Sequence, residues 1–587
     1  MKAIRKRAAK KSSGLLTGLI IVLFLFAVSF ILNMLISGEK NDVDGLTTDV
    51  SLPAPKSSLR PGFYKEPVSI ELGASGKDTK IYYTTDGSEP GLGSTRYETP
   101  IIITDRTGER NKLSEISTSP RWKRPMGNVF KGTVIRAVCI STDKRKSKEM
   151  ISTYFIRNSA YEIPVLAFSF NEQELFGYKK GIYMLGKRYD DKDNYVTDNV
   201  SLDLPWWEYP ANYLIRGGAS ERKVNLEFFE KGGELAFDQQ VGLRINGNAT
   251  RGYAQKSLRV ICREEYGQKE IAYDIFGSGG NTSFTSFILR NSGNDWDKTM
   301  FRDALMQSLM KNTAVDVQAH RLGLVFMNAE YWGIHNIQER IDEHYLAKLH
   351  GKDPSFITLL ELDAELVTGK KSEAKEFRKL LDFVKSNDLG VKSNYDHVCS
   401  EIDVENFQDF VIANVFFCNS DWPNNNVKYW HSLRTADGAA DTASRWRWIL
   451  YDTDWGFGYN SSSTPENDLL KKAASVGVVG TLFGNLIQNE DFKSKFLQRF
   501  QLHLNSRFRP EEVTARIDSL EQATAPYIAE HIARWRSIES VQQWERNVDI
   551  LRDFATRRPA IQAEQLNRFF NLEGQSRITV PSGGKKR

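Results

Sequence analysis

Two adjoining stretches decide the fold, DWPNNNVKYWHS at 421–432 and RWRWILYDTDWGFG at 445–458. Three amides, a proline and an acid cannot continue a helix, so 421–426 is a loop. VKYWHS and RWRWILY then alternate apolar side chains with others, as strands require, and TADGAADTAS between them is rich in turn residues. If the two strands pair as a hairpin they lie about 4.8 Å apart. Asn426 at one open end then faces Asp452 at the other, with Asp421 just outside. Acid and amide oxygens in one place suit Mg²⁺ or Mn²⁺, which leave positions for water and a phosphate. Each motif alone is ordinary turn chemistry; their placement at matched ends of one hairpin carries the functional reading.

The surrounding chain is long enough for several domains: 587 residues, 40% apolar and 26% charged. That composition excludes a disordered, collagen-like or polytopic membrane protein. The net charge of +5 comes from Lys2, Arg5, Lys6, Arg7, Lys10 and Lys11; without residues 1–13 the body stands at −1. A nucleic-acid partner is not expected, because a nucleic-acid binder keeps its basic excess in the folded part.

Leu15 to Ile36 is uncharged and spans about 33 Å as a helix, enough to cross a bilayer. It is longer than a signal-peptide core and Asn33-Met34-Leu35-Ile36 is a poor cleavage site, so the expectation is an uncleaved anchor. The basic residues ahead of it hold the N-terminus in the cytoplasm and put the body outside the membrane, in the cell envelope. The expected order is a basic tail at 1–14, the transmembrane anchor at 15–36 and a polar linker at 37–60. A β-sandwich at 61–157, a catalytic domain at 160–572 and a polar tail at 573–587 follow. Cys139 and Cys262 lie in apolar alternating runs and are expected as buried hydrophobes, while Cys399 and Cys418 are left as a candidate pair.

From Pro61 to Arg157, short alternating runs such as KIYYTT at 80–85 and TVIRAVCI at 133–140 argue an antiparallel sandwich. Its IYYTTDGSEP at 81–90, with Tyr97, Pro100 and Ile101, resembles the chitobiase/β-hexosaminidase C-terminal-type module. Asp86-Gly87 is read as a turn maker, and the aromatics as core, with carbohydrate contact as the alternative. Beyond residue 160, strand-like pieces give way to helical periodicity, as in VENFQDFVIANVFFC at 404–418. Sheet-rich first and helix-rich afterwards is an α+β arrangement.

The five-residue offset of Asp421 and Asn426, followed by a hairpin and an acid, is the order used in protein kinases, although no His-Arg precedes Asp421. DWPNNNVKYW, WRWILYDTDWGFG and NAEYWGIHNIQERID at 328–342 resemble the signature blocks of the spore-coat protein H (CotH) kinase family. GLRINGNATRGYAQKSLRV at 242–260 and GIYMLG at 181–186 match it further. The resemblance implies a divergent protein-kinase-like fold and phosphoryl transfer from ATP, with Mg²⁺ or Mn²⁺, to Ser/Thr of a protein substrate. It implies that Asp421 orients the substrate hydroxyl and that Asn426 and Asp452 hold metal. Asp454 either shares that metal or fixes the loop. Lys256 would reach the ATP phosphates, with Glu339 at the start of a helix as its ion-pair partner. Arg244 and Arg251, beside the glycine-bearing turn, would add cofactor contacts. A turn carrying Gly247 and Gly252 also lets backbone N–H groups approach phosphate, although a strand lysine is more often solvated. No Walker A motif competes, since Gly369-Lys370-Lys371-Ser372 has Ala364 where its first glycine belongs.

The leading expectation is therefore a membrane-anchored CotH-type kinase acting on exported proteins. Two others stand beside it: a metal-dependent glycosyltransferase gripping a diphosphate with Asp452 and Asp454, and an inert cell-surface binding or structural protein.

Overall fold

The computed structural model describes residues 45–580, except 77, 192–203, 278, 280, 281, 438 and 440–443. The expected 15–36 anchor lies outside them. Among the described residues no helix is long and apolar enough to cross a membrane.

The region beyond residue 160 is built around a closed barrel. Its strands are β1 (Val165–Ser169), β2 (Arg222–Phe229), β3 (Leu235–Ile245), β4 (Leu258–Ile261) and β5 (Ser286–Arg290), then, after helix α1 (Arg302–Leu309), β6 (His320–Met327) and β7 (Glu330–Glu339). They close in the order β1-β2-β3-β4-β5-β7-β6. Strand alternation sends Leu226, Leu243, Leu258, Val260, Phe287 and Leu289 inward. The intervening positions, Arg244, Arg259, Arg290 and Gln338, take the outer face.

A four-stranded sheet follows: β8 (Ile357–Glu361), β9 (Glu365–Thr368), β10 (Lys428–Ser432) and β11 (Arg447–Ile449), in the order β9-β8-β10-β11. The expected hairpin is its β10-β11 pair, with Lys428 opposite Ile449 and Tyr429 opposite Trp448. Helix α2 (Val404–Phe416) leads into it. Asp403 caps the helix start by accepting from Asn406 N at 3.0 Å. At its other end the buried Arg558 takes the Val415 and Phe416 carbonyls at 2.7 and 2.9 Å, groups that a helix end leaves without partners. Arg558 belongs to α4 (Val541–Phe569), which packs against α3 (Pro510–Trp535). The last turn before Asp421 is thus fixed from the far end of the chain.

The sandwich is not a spacer. Its seven-stranded sheet runs over a core that includes Ile81, Ile135, Cys139 and Tyr154. Phe130 and Phe155, however, belong to one core with Tyr161 and Phe326 of the barrel region, the Phe155 and Phe326 rings 4.8 Å apart. Glu330 of β7 accepts the backbone N–H groups of Lys112, Leu113 and Ser114 at 2.6–3.2 Å. Asp86-Gly87 is the expected turn, and its Gly87 sits so close to Asn328 that any side chain would collide there.

Two of the expected polar segments carry ordered contacts. Within the expected linker, Thr47–Thr48 pairs with Arg145–Lys146 and Lys56–Ser57 with Leu72–Gly73, because the sandwich edges needed strands. In the expected polar tail, Ile578 is buried and bonded both ways to Asn567. All four cysteines are free, so Cys399 and Cys418 do not pair; Cys139 and Cys262 are buried.

Candidate active site

The open end of the hairpin gathers three of the residues read from the sequence. Asn426 Nδ2 donates to Asp421 Oδ2 at 3.1 Å and to the Asp452 carbonyl at 3.0 Å. Asn426 and Asp452 both adopt positive φ, 61° and 52°, a backbone that Asn and Asp tolerate better than most residues. The Asp452 side chain is 37% exposed, within reach of a ligand. Asn425 Nδ2 also donates to Asp421, at 2.8 Å.

Asp454 differs from Asp452. It is buried, and Asn294 N and the Arg290 guanidinium donate to its Oδ2 at 2.9 and 2.6 Å. Asn294 Nδ2 adds a contact to Oδ1 at 3.3 Å. Burial and the neighbouring Asp452 push its carboxyl up to about 7, against the pull of Arg290. These bonds tie the Asp454 carboxylate to Arg290 and Asn294. Gly293 beside it has φ 61°, and a Cβ there would run into Asp454 and Arg290.

Arg290 is the residue the sequence reading missed. At the end of β5 it bridges Asp452 Oδ1 at 2.5 Å and Asp454 Oδ2. Burial alone would lower its pKa, but those two acids hold it well above the usual arginine range. Asp303 of α1 is the third acid in its field. Thr453 N and Oγ1 donate to Asp303 Oδ1 at 2.9 and 2.8 Å, and Gln338 Nε2 to Oδ2 at 2.8 Å. Burial would raise Asp303; Arg290 and those donors hold it below the usual carboxylate range. One acid therefore ties α1, β7 and the Asp452 loop together. Lys472 was also missed. It donates to the Ser420 carbonyl at 2.9 Å; burial lowers its pKa, and Asp421 is the main charge opposing that shift.

The glycine-bearing turn is used otherwise than expected. β3 and β4 do flank it, but Lys256 is fully buried, and its Nζ donates to the Arg251 and Tyr253 carbonyls at 2.7 and 2.9 Å. It also lies 3.8 Å over the Tyr213 ring. Burial and Arg251 push it well below the usual lysine range. Arg251 in turn donates to the Gly247, Tyr213 and Ile245 carbonyls at 2.6–2.8 Å. Both cations are spent on holding the turn, and neither reaches Asp452. Glu339 is not at a helix start: it ends β7 and accepts from Ala319 N at 2.9 Å, with no ion pair to Lys256. Arg244 lies on the outer barrel face and donates to Glu221 at 2.7 Å.

With the geometry in place, comparison adds the family. Residues 243–561, more than half of the chain, match the family model described as CotH kinase protein. The chain belongs to the CotH kinase protein family. Residues 70–154 match the model described as Fn3 associated, which supports the N-terminal β-sandwich module. No curated protein matches the chain. A kinase family implies ATP and a divalent metal in general terms. The residues fit one hard cation: Asp452 presents a carboxylate, and Asn426, whose Nδ2 is engaged, keeps its Oδ1 for a ligand. Among the described residues no group of three or more His, Cys, Asp or Glu side chains forms a metal site by itself. An ion here would complete its shell with the amide, water and phosphate.

Proposed function

We propose that this chain is an ATP-dependent Ser/Thr protein kinase acting on exported or cell-surface proteins, anchored through residues 15–36 with its body outside the cytoplasmic membrane. The observation that carries this reading is the Asp421–Asn426–Asp452 chain of hydrogen bonds, with Arg290 on the Asp452 carboxylate. The order along the chain supports it: a glycine-bearing turn between two strands, a strand ending in a cation, a helix bearing an acid, two strands, then D-x-x-x-x-N and a metal-binding Asp. Protein kinases use that order, with a lysine on the third strand and a glutamate on the helix. In this reading Arg290 and Asp303 stand in those two places.

Asp421 accepts a hydrogen bond from the acceptor hydroxyl and points its oxygen at the phosphorus. Asn426 Oδ1 and Asp452 would hold Mg²⁺ or Mn²⁺, which when bound would neutralise charge on the phosphates. Lys472 adds positive charge on the Asp421 side. The chain's contribution is positioning and electrostatics, as phosphoryl transfer requires.

The glycosyltransferase reading needs Asp452 and Asp454 presented together to a diphosphate; Asp454 is buried and engaged on both oxygens, which argues against it. An inert fold has no reason to keep Asp421, Asn426, Asp452 and Arg290 in mutual register. The test is phosphate transfer from labelled ATP by the full chain with Mg²⁺ or Mn²⁺, using wild type, Asp421→Ala and Asp452→Ala. Transfer is expected from wild type alone; equal labelling by all three would remove the assigned roles.

A further inference from the structure

The outer face of the barrel carries a cation that the site above does not use. Arg259 lies on β4, directly opposite Arg244 of β3 and opposite Ile288 of β5. Strand alternation puts it on the same face as Arg290, two residues beyond Ile288. Diagonal neighbours of this kind sit about 7–8 Å apart. The intervening rung is Leu258 opposite Leu289, and just beyond it the two strands are tied by Ser257, whose Oγ donates to Asn291 Oδ1 at 2.7 Å. Arg244 and Arg259 also form the pair next to Ile245 and Leu258, at the root of the glycine-bearing turn.

Every cation around Arg259 has an acid partner, and Arg259 has none. Arg244 and Arg263 share Glu221, and Arg340 is paired with Asp342. Among the described residues the Arg259 side chain makes no hydrogen bond or ion pair, and its Nε is buried without a partner. Arg263 also reaches Glu265, so four guanidiniums face three carboxylates, none of which pairs with Arg259. Burial and the fields of Arg340 and Arg244 push Arg259 down to about 10, with Asp342 and Glu221 opposing. Only Nε is cut off from both water and a counterion, and an anion on this half-buried guanidinium would answer that donor. Phosphate suits the planar fork of donors, and the position lies one strand from the cation on the metal-binding acid.

Resting on the kinase reading of the neighbouring site, we propose that Arg259, flanked by Arg244 and Arg340, binds a phosphate group of the phosphoryl donor. The donor phosphates then run along the outer barrel face, from Asp452 and Arg290 at one end to Arg259 at the other. The phosphate comes either from a nucleoside triphosphate or from a linear inorganic polyphosphate, and the latter does not depend on ATP reaching the cell exterior.

The experiment is calorimetric binding of ATP, inorganic tripolyphosphate and adenosine, each with Mg²⁺, to the full-length wild type, Arg259→Gln, Arg259→Lys and Asp421→Ala. Arg259→Gln is expected to weaken triphosphate binding at least tenfold with an unchanged melting temperature and circular dichroism. Arg259→Lys should recover part of that loss, and Asp421→Ala should bind like wild type. Loss confined to ATP assigns the site to the nucleotide's own phosphates; an equal loss for tripolyphosphate assigns it to linear polyphosphates as well. Wild-type affinity in Arg259→Gln overturns the proposal, as does competition by poly-glutamate equal to that by tripolyphosphate. Triphosphate binding that needs Arg259 in a protein that transfers no phosphate would sink the kinase reading and leave this site standing.

Discussion

The glycine-bearing turn at 245–258 carries cations, the hairpin end at 421–454 carries acids, and the two regions put their charges to opposite uses. At the turn, Lys256 and Arg251 bend back onto the carbonyls of their own loop and are buried. At the hairpin, Asp452 keeps a third of its side chain open, and its cation arrives from another strand. A charge answered by nearby backbone holds local structure, whereas a charge answered across the chain and left partly open is available to a ligand.

The sharpest way to break this comparison is to remove the open acid. Asp452→Ala should lower phosphate transfer by about 10²–10⁴-fold, the range for a positioned catalytic group, with little change in melting temperature. A loss matched by an equal loss of folded protein would erase the distinction. Arg290→Ala should cost both activity and about 3–5 kcal/mol of stability in chemical denaturation, because it leaves the buried Asp454 without its cation. Arg290→Lys should recover most of the stability.

Lys256→Met tests the other region. It leaves two carbonyls without their donor, at about 1–3 kcal/mol for each, so the denaturation midpoint should fall. KM for ATP should rise through the loosened turn while kcat stays within a few-fold of wild type. Abolished kcat in a folded Lys256→Met protein would restore the catalytic role first read for it.

A smaller effect lies at the seam with the sandwich. Glu227 is buried against Thr153, whose N–H donates to it at 3.0 Å. Burial and the facing Asp238 push its carboxyl up to about 8, against the Thr153 bonds. Its folded pKa lies above the unfolded value, so the folded state binds the extra proton. Stability is therefore lost as pH rises from about 4.5 towards 8 and is flat below that window. Glu227→Gln should match wild type at pH 4 and exceed it by about 1–3 kcal/mol at pH 8, read from urea curves at both pH values.

Much of the hairpin was legible, because period-two patterning and turn composition are local signals and the D-x-x-x-x-N offset fixes a loop geometry. The α+β order was legible for the same reason: VENFQDFVIANVF is a helix and SFILR a strand. Arg290 was not legible, since Arg at the end of SFILR resembles any solvated strand terminus and its acids lie more than 160 residues away. Asp303 and Lys472 were hidden in the same way. Glu339 was misplaced because IQERID looks like the start of a helix, while its pairing with Phe287 makes it the end of a strand. The sandwich looked like an appended module because each of its strands satisfies its own pattern; Phe130 and Phe155, meeting Phe326 across the seam, show that the cores are joined.

The most direct measurement is electron paramagnetic resonance of Mn²⁺ titrated into the full chain with ATP, in wild type, Asp452→Ala, Asn426→Ala and Lys256→Met. The account predicts a bound-Mn²⁺ signal that disappears in Asp452→Ala, weakens in Asn426→Ala and survives in Lys256→Met. An undiminished signal in Asp452→Ala would contradict it.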